Sequence, residues 1–275
     1  MQNPHEEVAE GVMSPSAVLL IAYSEIALKG RKRGLMERAL RDAVERWHRR
    51  RGRRVSVYLD SGRVVVGGEY DLDVARVPGV HHVMRALELE KLAPEGLAKA
   101  VAELLSPEPP VAVRVRRADK SYPMTSLELA AEVGRALGLP VDLKRPKTVI
   151  YVEVRNKVYV YTSEDVREGV GGLPYGVEGS VGVECEEPER GLVVSALLAR
   201  RGSKVFPSKP YPHLDLLSEA LPEPLVVREG VRPAAGRDLF PAAPCVPRKT
   251  LEKIKIMLGG VELEGLDSLG CPRPG

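Results

Sequence analysis

The residues best suited to chemistry in this chain are cations, and they fall into three clusters. Lys29, Arg31, Lys32 and Arg33 crowd a glycine-containing turn. Arg114, Arg116, Arg117 and Lys120 form a second group, and Lys144, Arg145 and Lys147 a third. Lys and Arg gathered in this way suit phosphate contacts, which position a nucleic acid and make its binding steeply salt-dependent. The net charge of +3 hides how unevenly the charge is spread. Tyr23 to Arg54 holds twelve Lys/Arg against four Asp/Glu, and Val111 to Val160 holds ten against five. Tyr161 to Arg200 reverses the balance, with three against eight. A polyanionic partner should therefore meet the first two regions. Taken one at a time, each cluster also reads as a solvated basic surface.

The thiols offer less. Cys185, Cys245 and Cys271 stand 60 and 26 residues apart, with no C-x-x-C pair. That spacing argues against an iron–sulfur cluster, whose ligands usually include close pairs. An odd, sparse count does not describe a secreted disulfide scaffold. Nearby Arg248 and Lys249 would favour a thiolate at Cys245. An inert thiol is the competing reading. A zinc deaminase needs H-x-E and P-C-x-x-C. Here Pro244-Cys245 is followed by no second cysteine, and His213-Leu214-Asp215 is not H-x-E. No metal site is expected. Neither G-x-x-x-x-G-K-[ST] nor G-x-G-x-x-G occurs, so no cofactor is expected either. Aromatic residues make up only 4%, which disfavours a reader that stacks many unpaired bases.

No apolar run approaches the roughly 18 residues of a membrane span. Met1 to Ser14 is acidic and polar, without the apolar stretch of a signal peptide. The expectation is a cytoplasmic protein with no membrane contact. One Gln, two Asn, 23 Pro and 29% charged residues fit heat adaptation, and equally GC-rich codon usage.

Local patterns supply the elements that position the clusters. Ala17 to Ala22 reads as a buried strand. Leu35, Ala39, Leu40, Ala43, Val44 and Trp47 recur at three- and four-residue steps and predict an amphipathic helix. Arg41, Arg46 and Arg49 to Arg51 lie off that stripe or at its end, where cations suit the helix dipole. Val55 to Leu59 and Arg63 to Val66 predict strands around the turn Asp60-Ser61-Gly62, and Val83 to Leu89 another. Pro94 to Leu105 is helical. Val111, Val113 and Val115 alternate with Ala112, Arg114 and Arg116 as a strand with one basic face. Ser126 is placed to cap a helix over Leu127 to Leu137, which Gly138 stops. Val149 to Val154 and Val158 to Tyr161 predict two more strands, and Gly169 to Gly182 a glycine-rich linker. Leu192 to Arg200 and Arg248 to Leu258 read as helices in a Pro-rich remainder short of regular elements.

Three stretches resemble the ThiI family, the tRNA 4-thiouridine sulfurtransferases that also serve thiamine synthesis. Tyr23-Ser24-Glu25-Ile26-Ala27-Leu28-Lys29-Gly30-Arg31-Lys32-Arg33 resembles the family's Y-G-E-I-x-L-K-G-x-N-R, with Ser for Gly and Lys for Asn. Val113 to Ser126 resembles its V-x-R-A-x-K-x-F-P-x-T-S segment. Gly171-Gly172-Leu173-Pro174-Tyr175-Gly176 resembles the entry to its catalytic domain. The resemblance implies an α+β chain: a disordered tail over 1–16, a ferredoxin-like domain over 17–90, and a THUMP α/β domain over 91–166. Residues 167–275 would then be the linker and a reduced remnant of an α/β adenine-nucleotide hydrolase-like domain. It further implies that tRNA is the partner, held by the three basic clusters. Glu25 and Asp119 are expected to position nearby cations, and Met124 to pack in the core.

The family's phosphate-wrapping loop S-G-G-x-D-S should follow the third stretch. In its place stand Glu186, Glu187, Pro188, Glu189, Arg190 and Gly191. Pro removes an amide donor, and three Glu repel a polyphosphate. The apolar strand before the loop is replaced by Gly182-Val183-Glu184-Cys185. The expectation is a tRNA-binding protein, not a stand-alone enzyme, that presents tRNA to a separate catalytic or sulfur-donor protein; a homodimer is also allowed. The alternative is an active tRNA sulfurtransferase whose catalytic residue is Cys245, which the resemblance places near the family's sulfur-handling cysteine with shortened spacing, and which relies on a partner-supplied activation step.

Overall fold

A computed structural model of the chain describes residues 15–230, 245–261 and 269–271. In chain order the elements begin with β1 (Ser16–Ala22), α1 (Arg33–Arg50), β2 (Val55–Asp60), β3 (Arg63–Gly68) and β4 (His82–Leu89). They continue with α2 (Pro94–Leu104), β5 (Val111–Arg117), α3 (Ser126–Leu137), β6 (Thr148–Val154) and β7 (Val158–Thr162). The last are β8 (Val166–Glu168), β9 (Ser180–Val183), α4 (Pro188–Arg200), β10 (Lys204–Pro207), α5 (Leu214–Ala220) and α6 (Arg248–Met257). The stretch read as a disordered tail lies outside the described residues except for its last two, and Ser16 already opens β1.

The chain forms two compact units. One takes residues 18–86 and 164–275, the other 1–17 and 87–163. In the first, β1 pairs antiparallel with β3 and β3 with β2, so that Leu19 faces Val66 and Val57 faces Val66 from the other side. The β2–β3 turn is Ser61-Gly62, both with positive φ (42° and 91°), the primed geometry that matches strand twist. Helix α1 lays Met36, Leu40, Ala43, Val44 and Trp47 against Leu19, Ile21, Val64 and Val66. Leu35, expected in that stripe, is 58% exposed, and Met36 takes its place. The registers 36, 40, 43, 44 and 47 share one helix face; 35 lies about 100° away from 36.

The remainder of this unit departs most from expectation. Its Pro-rich sequence still builds a core from Val183, Leu192, Val193, Ala196, Val205, Leu217, Leu251, Ile254 and Met257. β8 pairs antiparallel with β4, and β9 pairs parallel with β10 across α4. The glycine-rich stretch is no solvated linker, because Val170 to Tyr175 is buried. Gly172 has φ +85°, and a Cβ there would sit 2.1 Å from the Arg200 carbonyl oxygen, so only glycine fits.

In the second unit the strands run β4–β7–β6–β5, with β5 parallel to β6 at the edge. Leu97 and Val101 of α2 and Leu129 and Val133 of α3 pack on Val111, Ile150, Val152, Val158 and Val160. Met124 packs against this core, as expected. The cap of α3 is Thr125, not Ser126. Thr125 accepts from the Glu128 amide at 3.2 Å, and Glu128 accepts from the Thr125 amide at 2.7 Å. Only this register places a glutamate three residues on and completes the reciprocal box.

Candidate nucleic-acid interface

The alternation of β5 turns Val111, Val113 and Val115 towards the helices and leaves Arg114 and Arg116 exposed on the opposite face. Two residues along a strand span roughly 7 Å. Arg117 falls on the helix side, where its guanidinium donates to the Tyr122 carbonyl at 2.9 Å and its Nε is buried. It braces the loop after β5 and is not turned outward as its two neighbours are. Lys120 is exposed on that loop. Asp119 closes the loop, accepting from the Ser121 amide (2.8 Å) and from Lys91 Nζ (2.6 Å). The Lys91 ammonium, then the Ser121 donors, hold its carboxyl well below the usual carboxylate range.

Lys144, Arg145 and Lys147 are exposed on the segment that leads into β6. Asp142 shapes it by accepting from the amides of Lys144 (2.8 Å) and Arg145 (3.0 Å). Lys147 also pairs with Glu108. Because Val111 faces Thr148 and Arg117 faces Val154, this group and the Arg117–Lys120 group sit at opposite ends of the β5–β6 pair. Arg114 and Arg116 lie between them.

The other unit carries the first cluster on two short 3-10 turns, Glu25–Leu28 and Gly30–Lys32, just before α1. Arg31 and Lys32 are exposed. Lys29 pairs with Glu178 at 3.6 Å. Arg33 bonds Glu37 at 2.8 Å and the Tyr23 hydroxyl at 3.2 Å, and that hydroxyl also bonds Glu37. Burial, with the Glu37 carboxylate next, pushes the Tyr23 phenol up. Glu25 reaches Arg200 at 3.4 Å, the positioning contact expected of it.

Residues 180–207 keep a β–α–β unit but no open phosphate loop. The strand read as lost is present as β9, which is short. Of the loop positions, Glu186 and Glu187 precede α4, whereas Pro188, Glu189, Arg190 and Gly191 form its first turn. Arg190 pairs back to Glu187 at 3.5 Å. Sequence reasoning missed Tyr211. Its hydroxyl accepts from the Cys185 amide at 2.8 Å and donates to the Val183 carbonyl at 3.2 Å. The side chain thus occupies the crevice at the end of β9, where an open α/β fold receives a ligand. Gly191 makes room for it: a Cβ there would come within 2.5 Å of the Tyr211 ring. Nothing local marks a tyrosine twenty-six residues away for this role.

The structure also changes the standing of Cys245. It is bonded to Cys271, with Cα atoms 4.8 Å apart, so it presents no thiolate for Arg248 to stabilise. Arg248 instead donates to the Cys271 carbonyl at 3.1 Å. The free cysteine among the described residues is Cys185, whose thiol burial pushes up, away from reactivity.

Family models match part of each unit. The ThiI ferredoxin-like domain model matches residues 18–83, and the THUMP domain model matches residues 95–163. The chain is 33% identical over 214 residues to a Clostridium perfringens protein named probable tRNA sulfurtransferase. It is 32% identical over 210 residues to one of that name from Caldanaerobacter subterraneus. Each match covers 70% of this chain and 54% of the relative, so the chain spans about half the length of these curated relatives. The crystal structure of PH1313 from Pyrococcus horikoshii superposes with TM-score 0.63 and 27% identity, covering 78% of each chain. A 4-thiouridine synthetase, solved with RNA and bound ATP, superposes with TM-score 0.53 and 26% identity over 70% of this chain and 52% of that one. In its ThiI ferredoxin-like domain followed by a THUMP domain, this α+β chain is similar to the ThiI-type tRNA sulfurtransferases.

Proposed function

We propose that this protein binds tRNA through its THUMP and ferredoxin-like domains and presents it for modification without activating it with ATP. The observation that carries the binding half is β5, where Arg114 and Arg116 stand exposed side by side in the segment that matches a THUMP domain. Lys120 continues that line at one end, and Lys144, Arg145 and Lys147 at the other. Lys29, Arg31, Lys32 and Arg33 add a second contact on the ferredoxin-like domain. Two relatives support tRNA as the ligand: the sulfurtransferases by name, and the synthetase solved with RNA.

The second half rests on the end of β9. A phosphate loop works by turning several free amides towards the anion. Here the Cys185 amide is taken by Tyr211, Pro188 has no N–H, and Glu186, Glu187 and Glu189 carry the wrong charge. Activation would then fall to a separate protein. The test measures tRNA by filter binding across a salt series and ATP by calorimetry. Weak, salt-insensitive tRNA binding sinks the first half, and micromolar ATP binding sinks the second.

Sulfur transfer through Cys245 is the competing reading, and it requires the Cys245–Cys271 bond to be opened first. Thiouridine content in tRNA of a deletion strain, complemented by wild type or by Cys245→Ser, separates the two. Loss of thiouridine with the serine variant favours the transferase.

A further inference from the structure

Strand β2 is the edge strand of its unit, and the turn that follows it fixes which of its backbone groups are used. Asp60 and Arg63 flank a two-residue turn, so they exchange hydrogen bonds, and the alternation carries back along the strand. Tyr58, Ser56 and Arg54 therefore turn their amides and carbonyls towards β3. The Glu69 amide, donating to the Arg54 carbonyl at 3.0 Å, fits that alternation. Val55, Val57 and Leu59 turn theirs outward. Among the described residues no strand or loop pairs with that edge.

Sheet edges are usually guarded by a proline, a charged side chain or a bulge. From Val55 to Leu59 the β2 edge has none of these: its residues are Val-Ser-Val-Tyr-Leu, and its register with β3 is unbroken. The edge strand of the second unit, β5, is guarded. The Val111 amide donates to Pro140 (2.9 Å) and the Asp142 amide to Val111 (3.1 Å), which closes its start. Exposed Arg114 and Arg116 follow, and a second copy would meet them with like charge.

We propose that β2 pairs antiparallel with β2 of a second copy of this chain, across a two-fold axis at Val57. The strand's own sequence selects this occupant. With Val57 opposite itself, Val55 meets Leu59, and all three outward residues are used, giving about six hydrogen bonds. Moving the axis to Ser56 or Tyr58 leaves one of the three without a partner. On the exposed face Ser56 falls opposite Tyr58 twice, a small side chain beside a large one. These are the positions that exchange no hydrogen bonds with the second copy, where side chains lie closest. The charges also complement. Arg54, whose side chain is 90% exposed, comes opposite Asp60 at each end of the pair, whereas an in-register parallel pair sets Arg54 against Arg54. Asp60 is 2% exposed, so it adds attraction across the pair without a new hydrogen bond. The contact is isologous, so it closes as a dimer and uses up both β2 edges. It leaves the basic face of β5 untouched and is independent of the tRNA reading.

The experiment uses the full chain without RNA, with sedimentation equilibrium over a concentration series and amide hydrogen exchange read by NMR. Wild type is expected to dimerise, and the amides of Val55, Val57 and Leu59 to exchange slowly in the dimer and quickly on dilution. Ser56→Lys/Tyr58→Lys sets lysine against lysine twice and should weaken the dimer at least tenfold, as like charges directly opposite do. Ser56→Lys/Tyr58→Glu sets lysine against glutamate in the antiparallel register and should restore it. Both variants change only the exposed face, and matching urea midpoints exclude a folding defect. A chain that is monomeric at every concentration overturns the proposal. So does a dimer that both variants form as well as wild type, because its interface then lies elsewhere. Slow exchange of the three amides in a monomer also overturns it, because another segment of the same chain then covers the edge.

Discussion

The indole Nε1 of Trp47, at the C-terminal end of the buried face of α1, donates to the backbone carbonyl of Glu219 at 2.9 Å, 172 residues away. Arg51 stacks over the same indole at 3.8 Å and donates to the same carbonyl. Arg76 completes the clamp with bonds to the carbonyls of Leu216 (2.8 Å) and Met257 (3.0 Å). The ferredoxin-like domain therefore uses its own side chains to satisfy the carbonyls that end α5 and α6. The C-terminal region is part of that unit's structure.

Trp47→Phe tests the clamp. The change leaves the Glu219 carbonyl with one donor fewer in a partly buried site, and it removes ring volume from a filled core. The expected cost is roughly 2–4 kcal/mol, from the lost hydrogen bond and the cavity together. Urea unfolding followed by far-UV circular dichroism reads it. A midpoint within error of wild type would show that the clamp contributes nothing.

Gly191→Ala tests the filled crevice at the end of β9. Its methyl group meets the Tyr211 ring inside van der Waals distance, so overpacking should cost about 1–3 kcal/mol. Adding Tyr211→Ala removes the obstacle, and the double variant should then be more stable than the sum of the two single losses predicts. Strict additivity in thermal melts would mean that the two residues do not share the space.

His48 gives the unit a pH dependence with a definite sign. Its Nδ1 lies 2.8 Å from the Val44 carbonyl, and its Nε2 accepts from the Asp71 amide at 3.1 Å. That pattern needs the neutral ring with the proton on Nδ1. Burial, the largest influence, lowers its pKa. A histidine with a depressed folded pKa contributes stability above its unfolded value, near 6.5, and loses it as pH falls towards the folded value. Burial lowers His81 and His82 as well, so wild type should lose thermal stability between about pH 7 and pH 5. His48→Gln should flatten that profile in part. A wild-type melting temperature that does not fall over this range refutes the assignment.

Much of the frame was legible because its signals are local. The β2–β3 turn follows from Asp60-Ser61-Gly62, the α1 stripe from apolar spacing, and the basic face of β5 from alternation. Most of the misses share one physical cause, partners distant in sequence. Nothing near Arg50 or Arg51 announces that carbonyls about 170 residues on will absorb them. The Pro-rich tail hid a core because its apolar residues come in short runs that pack together only after folding. The same distance concealed the Cys245–Cys271 bond and Tyr211. Thr125 was missed for a smaller reason. Two adjacent hydroxyl residues compete for the cap, and the glutamate three positions on selects the first.

The contrast between Arg116 and Arg117 separates an exposed side chain from a bracing one. Arg116 is exposed on the free face of β5, and Arg117 is tied to the Tyr122 carbonyl under the loop. Arg116→Ala should leave the unfolding midpoint within about 0.5 kcal/mol of wild type, as surface changes do, and lower the salt slope of tRNA binding by about one. Arg117→Ala strands the Tyr122 carbonyl and should cost roughly 1–3 kcal/mol of stability. At a temperature where both variants are folded, its salt slope should match wild type, because no phosphate contact has been removed. If Arg117→Ala lowers the slope and spares stability, Arg117 touches the RNA, and the division between adjacent residues of β5 is wrong.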